Sequence, residues 1–152
     1  MGTFNTILVP TDYSENAAAA LSVASRVAAD YGARLVVAHV CGRGALRAAI
    51  QQGLLAPDDD DATVSRKVKA AHDAKLAESL APLGAAAAGV ERAVLFGEPA
   101  RAVVDYAREN GVDLIVMGRR GVTLADVMLG SVAEKTIRHA LCPVMIVKRS
   151  QG

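Results

Sequence analysis

The chain has 152 residues, of which 52% are hydrophobic and only 3% are aromatic, and its formal net charge is +1. This length predicts one domain, residues 1–152, with a full hydrophobic core. The nearly balanced charge argues against binding to nucleic acid or to an acidic membrane surface, and no apolar run approaches the length of a membrane span. With no apolar leader at its start and two cysteines that lack metal-like spacing, the sequence predicts a protein of the reducing cytoplasm.

The first forty residues predict a strand, a helix and a second strand. Thr6–Pro10 is a continuous apolar run that ends in Pro-Thr-Asp, which is typical of a strand buried on both faces. Ser14 is a suitable N-cap for a helix that ends at Gly32, and residues 34–40 form the second strand. Because the connections are short, the two strands are expected to be parallel with a right-handed crossover.

The middle of the chain carries weaker signals. A short helix is predicted over residues 45–52, and the four aspartates at 58–61 favour a solvated turn over a metal site because alternating ligand spacing is absent. A longer helix is predicted over residues 65–83, ended by Gly84, followed by a third strand over Val90–Phe96. Pro99 then begins a helix that ends at Gly111.

The last forty residues bring a strand to a glycine-punctuated loop. Residues 114–117 predict a fourth strand, residues 130–139 a helix, and Val144–Val147 a fifth strand. This alternation predicts a doubly wound, mostly parallel five-stranded sheet of the Rossmann-like type with helices on both faces, and we expect the strand order 3-2-1-4-5. Ligands of such sheets bind beyond the carboxyl ends of the strands where the order reverses, and a glycine loop that leads to a helix N-terminus suits a phosphate.

Five segments together carry a resemblance to a known family. They are ILVPTDYSE at 7–15, FGEP at 96–99, DLIVMG at 113–118, GSVAE at 130–134 and HALCPVMIV at 139–147. In this order, over nearly the whole chain, they resemble the universal stress protein family. Its nucleotide-binding branch carries the pattern G-x2-G-x9-G-[S/T] and holds ATP at the strand ends.

The resemblance implies a site for ATP or another adenine nucleotide, with Mg²⁺ as a candidate companion of the Asp12 carboxylate. It implies that Pro10, Thr11 and Asp12 contact the adenosine and that Val40 contacts the adenine. It also implies that the glycine loop and the helix after it hold the phosphates. The loop arginine Arg120 suits bidentate phosphate contact. The full set of expected nucleotide-binding residues is Pro10, Thr11, Asp12, Val40, Met117, Gly118, Arg120, Gly121, Gly130, Ser131 and Val132.

One spacing departs from the family pattern, and several of these residues have simpler explanations. Eight residues, 122–129, separate the second and third glycines instead of nine. The missing residue has to be absorbed in the loop or at the start of the helix, which affects the position of the terminal phosphates more than that of the adenosine. Ser131 and Glu134 match a capping box, Asp12 could form an Asx-turn, and Met117 could be a core residue. His39 and Cys41 are interpreted as packed side chains, and His72 as a surface residue.

The sequence offers no catalytic residue and no metal site. The Walker pattern G-x4-G-K-[S/T] is absent, and no serine or cysteine has the partners of a nucleophile. We therefore expect a nucleotide-responsive regulator of the stress response, acting on an unidentified protein. The alternatives are an interaction module of the same fold that binds no nucleotide and a slow ATPase. In the leading hypothesis Gly118→Val or Gly130→Val abolishes binding in a protein that still folds.

The fifth strand also predicts a partner. Val144–Val147 is apolar and falls at the edge of the predicted sheet, where exposed strands pair with another chain. The resemblance implies a homodimer formed by antiparallel pairing of this strand with its symmetry mate. The alternative is that Lys148 and Arg149 only protect the edge.

Overall fold

The computed structural model describes residues 3–119 and 128–149. In these ranges the strands are β1 Thr6–Pro10, β2 Arg34–Cys41, β3 Val90–Phe96, β4 Leu114–Gly118 and β5 Val144–Val147. The α-helices are α1 Glu15–Tyr31, α2 Arg43–Gln51, α3 Asp61–Ser79, α4 Pro99–Glu109 and α5 Ser131–His139, and a 3-10 helix spans Ala81–Gly89. No helix within the described ranges is long and apolar enough to cross a membrane.

The described strands form one sheet in the order β3-β2-β1-β4-β5, and every neighbouring pair is parallel. Both the fold class and the strand order predicted from the sequence are confirmed. β1 is central, so that Ile7 pairs with Leu35 of β2 on one side and with Leu114 of β4 on the other. The chain runs outward from β1 to β3 and returns to β4, which places the reversal of strand order between β1 and β4.

Alternate residues of β1 enter two different cores. Ile7 and Val9 pack with side chains of α1 and α3 on one face of the sheet, while Leu8 packs with α4 and α5 on the other. All three side chains are fully buried. A strand covered on both faces must be apolar at every position, which explains the unbroken apolar run. Complete burial of such a side chain stabilises the fold by roughly 1.5–3 kcal/mol.

The third helix differs from its prediction at both ends. It begins at Asp61 rather than residue 65, because Asp60 accepts a hydrogen bond from the Thr63 N–H at 2.8 Å and caps it. Within the acidic run, Asp58 lies in an exposed turn as predicted, whereas Asp60 caps the helix and Asp61 is its first residue. The helix ends at Ser79 rather than residue 83, and the 3-10 helix that follows has a break at Gly84, where φ is 60°.

Candidate functional site

A cavity of about 330 Å³ opens at the carboxyl ends of β1, β2 and β4, at the reversal of strand order. Two of the residues expected at the site, Arg120 and Gly121, lie outside the described residues. His39 and Pro99 also line the cavity and were not expected there. The cavity brings together the other nine expected residues: Pro10, Thr11, Asp12, Val40, Met117, Gly118, Gly130, Ser131 and Val132.

The turn between β1 and α1 is held by its own side chains. The Thr11 hydroxyl oxygen accepts a hydrogen bond from the Tyr13 N–H at 3.0 Å, and Asp12 Oδ1 accepts one from the Ser14 N–H at 3.0 Å. Ser14 is the N-cap of α1, as predicted. The Asx-turn considered for Asp12 is thus confirmed. It occupies only one carboxylate oxygen, and Oδ2 of this exposed residue makes no hydrogen bond to the described part of the chain.

Gly118 is required by packing between α1 and β4. A Cβ atom at this position would lie 2.8 Å from the carbonyl carbon and oxygen of Asn16, a separation that real Cβ atoms do not show. Asn16 lies in the first turn of α1 and is buried. Contrary to the expectation from the sequence, Gly118→Val should therefore destabilise the fold, because the new side chain would meet the backbone of α1. Met117 both belongs to the core, at 5% exposure, and lines the cavity.

Gly130 closes the loop and starts the last helix. Its N–H donates to the Arg119 carbonyl oxygen at 2.8 Å, so this N–H is not available to a phosphate, contrary to the expectation from the sequence. Gly130 is the N-cap residue of α5, and no side chain in the described ranges caps this helix. The first N–H groups of an α-helix have no partner within the helix, and they form the positive end of its dipole. The start of α5 can therefore receive an anion.

The capping box considered for Ser131 does not form. Ser131 is the first residue of α5 and not its N-cap, and it is exposed. Glu134 instead forms an ion pair with Arg138, with 2.9 Å between a carboxylate oxygen and the guanidinium. The Ser131 hydroxyl therefore does not cap the helix, and Ser131 lines the cavity.

Three aromatic side chains form a stack beside the cavity, which we call the Tyr13 stack: Tyr13, His39 and His72. Ring centroids are 4.6 Å apart for Tyr13 and His39 and 4.4 Å apart for His39 and His72. The Tyr13 hydroxyl lies 2.9 Å from His72 Nδ1, and His39 Nδ1 donates to the Thr11 carbonyl oxygen at 2.8 Å. His72 is therefore half-buried against Tyr13 and His39, and it is not the surface residue that we expected. Tyr13 has φ of 65°, which is uncommon for a residue with a bulky side chain.

Burial shifts the ionisation of this cluster toward its neutral forms. It lowers the pKa of His39 and that of His72, and it raises the pKa of the Tyr13 hydroxyl and of the Cys41 thiol. The Thr11 carbonyl oxygen can only accept a hydrogen bond, so the proton of neutral His39 lies on Nδ1. Nε2 of His39 is then the unprotonated nitrogen, which carries a lone pair.

The sequence contained one signal for this stack. His39 and Cys41 are two residues apart on a strand, so their side chains lie on the same face of the sheet. Nothing in the sequence indicated which helix covers that face. The covering residue comes from α3, whose buried residues are only Val68 and Leu76 and whose orientation the sequence pattern does not predict.

The fold and cavity place this chain among the doubly wound α/β proteins with a ligand cavity at the reversal of strand order. Residues 3–148 match the model of the universal stress protein family, and the chain belongs to that family. It is 35% identical to the universal stress protein YxiE of Bacillus subtilis over 149 residues, which cover 95% of this chain and 99% of that protein.

Two solved structures of similar fold contain nucleotides. One is a universal stress protein in complex with cAMP, 28% identical, with a TM-score of 0.67 and coverage of 97% of this chain and 98% of the other. The second is the universal stress protein from Archaeoglobus fulgidus in complex with dAMP, 25% identical, with a TM-score of 0.61 and coverage of 96% and 99%.

Proposed function

We propose that this chain is a cytoplasmic adenine-nucleotide-binding protein, with ATP as its ligand, that regulates a stress response by its nucleotide state. One observation carries the proposal: the β1–α1 turn, the end of β4 and the uncapped start of α5 converge on a single cavity. The cAMP and dAMP complexes of similar proteins support an adenine nucleotide as the ligand class.

The adenosine end of the proposed site lies against Asp12 and Val40. The half-buried Val40, with Pro99 and the fully buried Val103, gives the cavity an apolar wall that suits a purine ring. Asp12 Oδ2 is an acceptor for a ribose hydroxyl or for the adenine amino group. The same carboxylate is where Mg²⁺ would bind, because carboxylate oxygens suit that ion.

The phosphate end of the proposed site lies at the start of α5. The N–H groups of Ser131 and Val132, the Ser131 hydroxyl and the helix dipole all favour negative charge there. Arg120 and Gly121 belong to the proposal as further phosphate contacts, although they lie outside the described residues.

Isothermal titration with ATP and with adenosine tests both ends of the site. Ser131→Glu places a carboxylate where the phosphates would lie, and Ser131→Gln is the uncharged control of matched size. An acidic residue in the first turn suits the helix dipole, so we expect both variants to fold. ATP should bind Ser131→Glu at least tenfold more weakly than Ser131→Gln, while adenosine should bind the two variants equally.

Asp12→Asn tests the adenosine end without disturbing the turn. The asparagine oxygen can still accept the Ser14 N–H, but the second oxygen is replaced by a donor. A hydrogen bond to a charged group contributes about 1.5–3 kcal/mol, so ATP and adenosine should both bind roughly 10- to 100-fold more weakly. If wild-type protein binds no ATP at millimolar concentration, the nucleotide proposal fails and the interaction module remains.

We also propose that the protein is a homodimer paired through β5. This strand is at the edge of the described sheet, with β4 as its one neighbour. Large apolar side chains on and near it are exposed, with 36% exposure at Met145 and 85% at Leu141. An exposed apolar edge favours pairing with a second copy, and two-fold symmetry requires the two β5 strands to be antiparallel.

A further inference from the structure

Two histidines and a cysteine meet on the face of the sheet that α3 covers. His39 and Cys41 project from the same face of β2, and α3 brings His72 over them. One candidate ligand atom of each residue lies within 4.8 Å of those of the other two. Imidazole nitrogen and thiolate sulfur are the ligands that Zn²⁺ prefers in proteins.

Each histidine has a hydrogen-bond partner at Nδ1, and such an outer contact can orient a metal ligand. The Thr11 carbonyl oxygen accepts from His39 Nδ1–H at 2.8 Å, which directs the lone pair to Nε2. The Tyr13 hydroxyl lies 2.9 Å from His72 Nδ1, and when it accepts from Nδ1–H it fixes the same tautomer in His72. Histidines that bind metals commonly donate their second N–H to a carbonyl, carboxylate or other acceptor in this way.

The three groups are close enough to surround a tetrahedral ion after a contraction and a ring rotation. Zn–N bonds of about 2.0–2.1 Å and Zn–S bonds of about 2.3 Å place tetrahedral ligand atoms roughly 3.3–3.6 Å apart. The three ligand atoms lie within 4.8 Å of one another, so they have to draw closer around an ion. The His39 and His72 rings are stacked with 19° between their planes, so at least one ring also has to rotate before both nitrogens can face the ion. Cys41 is 1% exposed, whereas both histidines are half-buried, so an ion can enter from the histidine side.

We propose that His39, Cys41 and His72 form a Zn²⁺ site next to the nucleotide cavity. The Cys41 thiol gives up its proton to solvent as the sulfur binds the ion, and both histidines bind as neutral imidazoles. Three protein ligands leave the fourth position of a tetrahedral ion for water. His39 also lines the cavity, so the ion would lie beside the proposed nucleotide. The site requires no nucleotide, and its test is independent of the proposed function.

Cobalt replacement gives a direct test in the wild-type protein. The protein is stripped with a chelator and titrated with Co²⁺, and its absorption is followed. A tetrahedral site with one thiolate should give intense visible bands and a sulfur-to-cobalt charge-transfer band that saturate at one ion per chain. Zn²⁺ should then abolish both. Weak octahedral bands alone, or no saturable binding, would overturn the proposal without any need for a variant.

The chain contains three histidines and two cysteines, so it supplies its own matched controls. His139→Ala and Cys142→Ser remove the remaining histidine and cysteine and should leave Zn²⁺ affinity unchanged in a competition assay with a chromophoric chelator. Cys41→Ala should abolish the charge-transfer band, and His39→Ala or His72→Ala should weaken Zn²⁺ binding at least tenfold. Equal losses in the control variants would contradict the assignment of the site.

The Tyr13→Phe variant tests whether the Tyr13 hydroxyl orients His72 as a metal ligand, without removing any of the three ligands. It keeps the ring in the Tyr13 stack and removes the hydroxyl that lies beside His72 Nδ1. Loss of such an outer contact commonly weakens metal binding by about 10- to 100-fold. The cobalt charge-transfer band should persist at high Co²⁺, because the Cys41 sulfur remains a ligand. Unchanged Zn²⁺ affinity in this variant would show that His72 is not a ligand oriented by Tyr13.

Discussion

The close approach of α1 to β4 predicts the effect of a single methyl group at Gly118. In Gly118→Ala the new Cβ would lie 2.8 Å from the Asn16 carbonyl carbon and oxygen and 3.0 Å from the Asn16 Cβ. The obstacle is mainly backbone in the first turn of a helix, so it cannot move aside as the end of a flexible side chain can. Either α1 or the end of β4 has to shift, and both carry fully buried core residues.

The size of the effect follows from two opposing contributions. Extra atoms in a well-packed region commonly cost about 1–3 kcal/mol, whereas replacing glycine by alanine stabilises by about 0.4–1 kcal/mol through the unfolded chain. We therefore expect Gly118→Ala to lower the free energy of unfolding by roughly 1–2 kcal/mol. For a chain of this size the melting temperature should fall by about 2–8 °C.

Gly44→Ala is the matched control, measured by urea denaturation and thermal melting without nucleotide. Gly44 lies in the first turn of α2, and a Cβ there would have no heavy atom within 4 Å. Alanine is favoured over glycine in a helix by up to about 1 kcal/mol, so this variant should be as stable as wild type or more stable. If Gly118→Ala is stabilised as well, the steric argument is refuted. A role of the glycine loop in binding phosphate would then explain the glycine at position 118 better.

Three further predictions concern the dimer, the histidines and one helix cap. Met145→Lys should convert the proposed dimer to a monomer in light scattering, whereas an unchanged mass would exclude β5 pairing. Because burial lowers the pKa of His39 and of His72, the unfolded chain binds more protons than the folded one below about pH 6.5. The free energy of unfolding, measured with a chelator present, should therefore decrease as the pH is lowered from about 7 to about 5. The decrease should be smaller in a His39→Phe/His72→Phe double variant. Glu98 accepts hydrogen bonds from two N–H groups at the start of α4, so Glu98→Ala should cost about 0.5–2 kcal/mol in urea denaturation while Glu98→Gln costs less.

The strands could be predicted from the sequence because each is a short apolar run with a polar or proline boundary. β1, β3 and β5 have the predicted bounds, and β2 and β4 each extend one residue further, to Cys41 and Gly118. α3 could not be placed as well, since its 19 residues include only Val68 and Leu76 as buried positions and its cap lies inside an acidic run. A helix that buries so few residues has a weak periodic pattern, and propensity alone does not fix its ends.

The amino-acid sequence by itself determined the doubly wound class and the edge of the sheet where a ligand cavity opens, because alternating strands and helices with short connections permit few topologies and ligands of such sheets bind at the carboxyl ends of the strands. Only the tertiary structure decided what Gly118 and His72 do. Gly118 lies against the backbone of α1, and His72 meets a tyrosine 59 residues away in the sequence. Local sequence patterns indicate whether a residue is buried. The atoms that it contacts depend on how separate helices and strands pack against one another, and the whole core determines that packing.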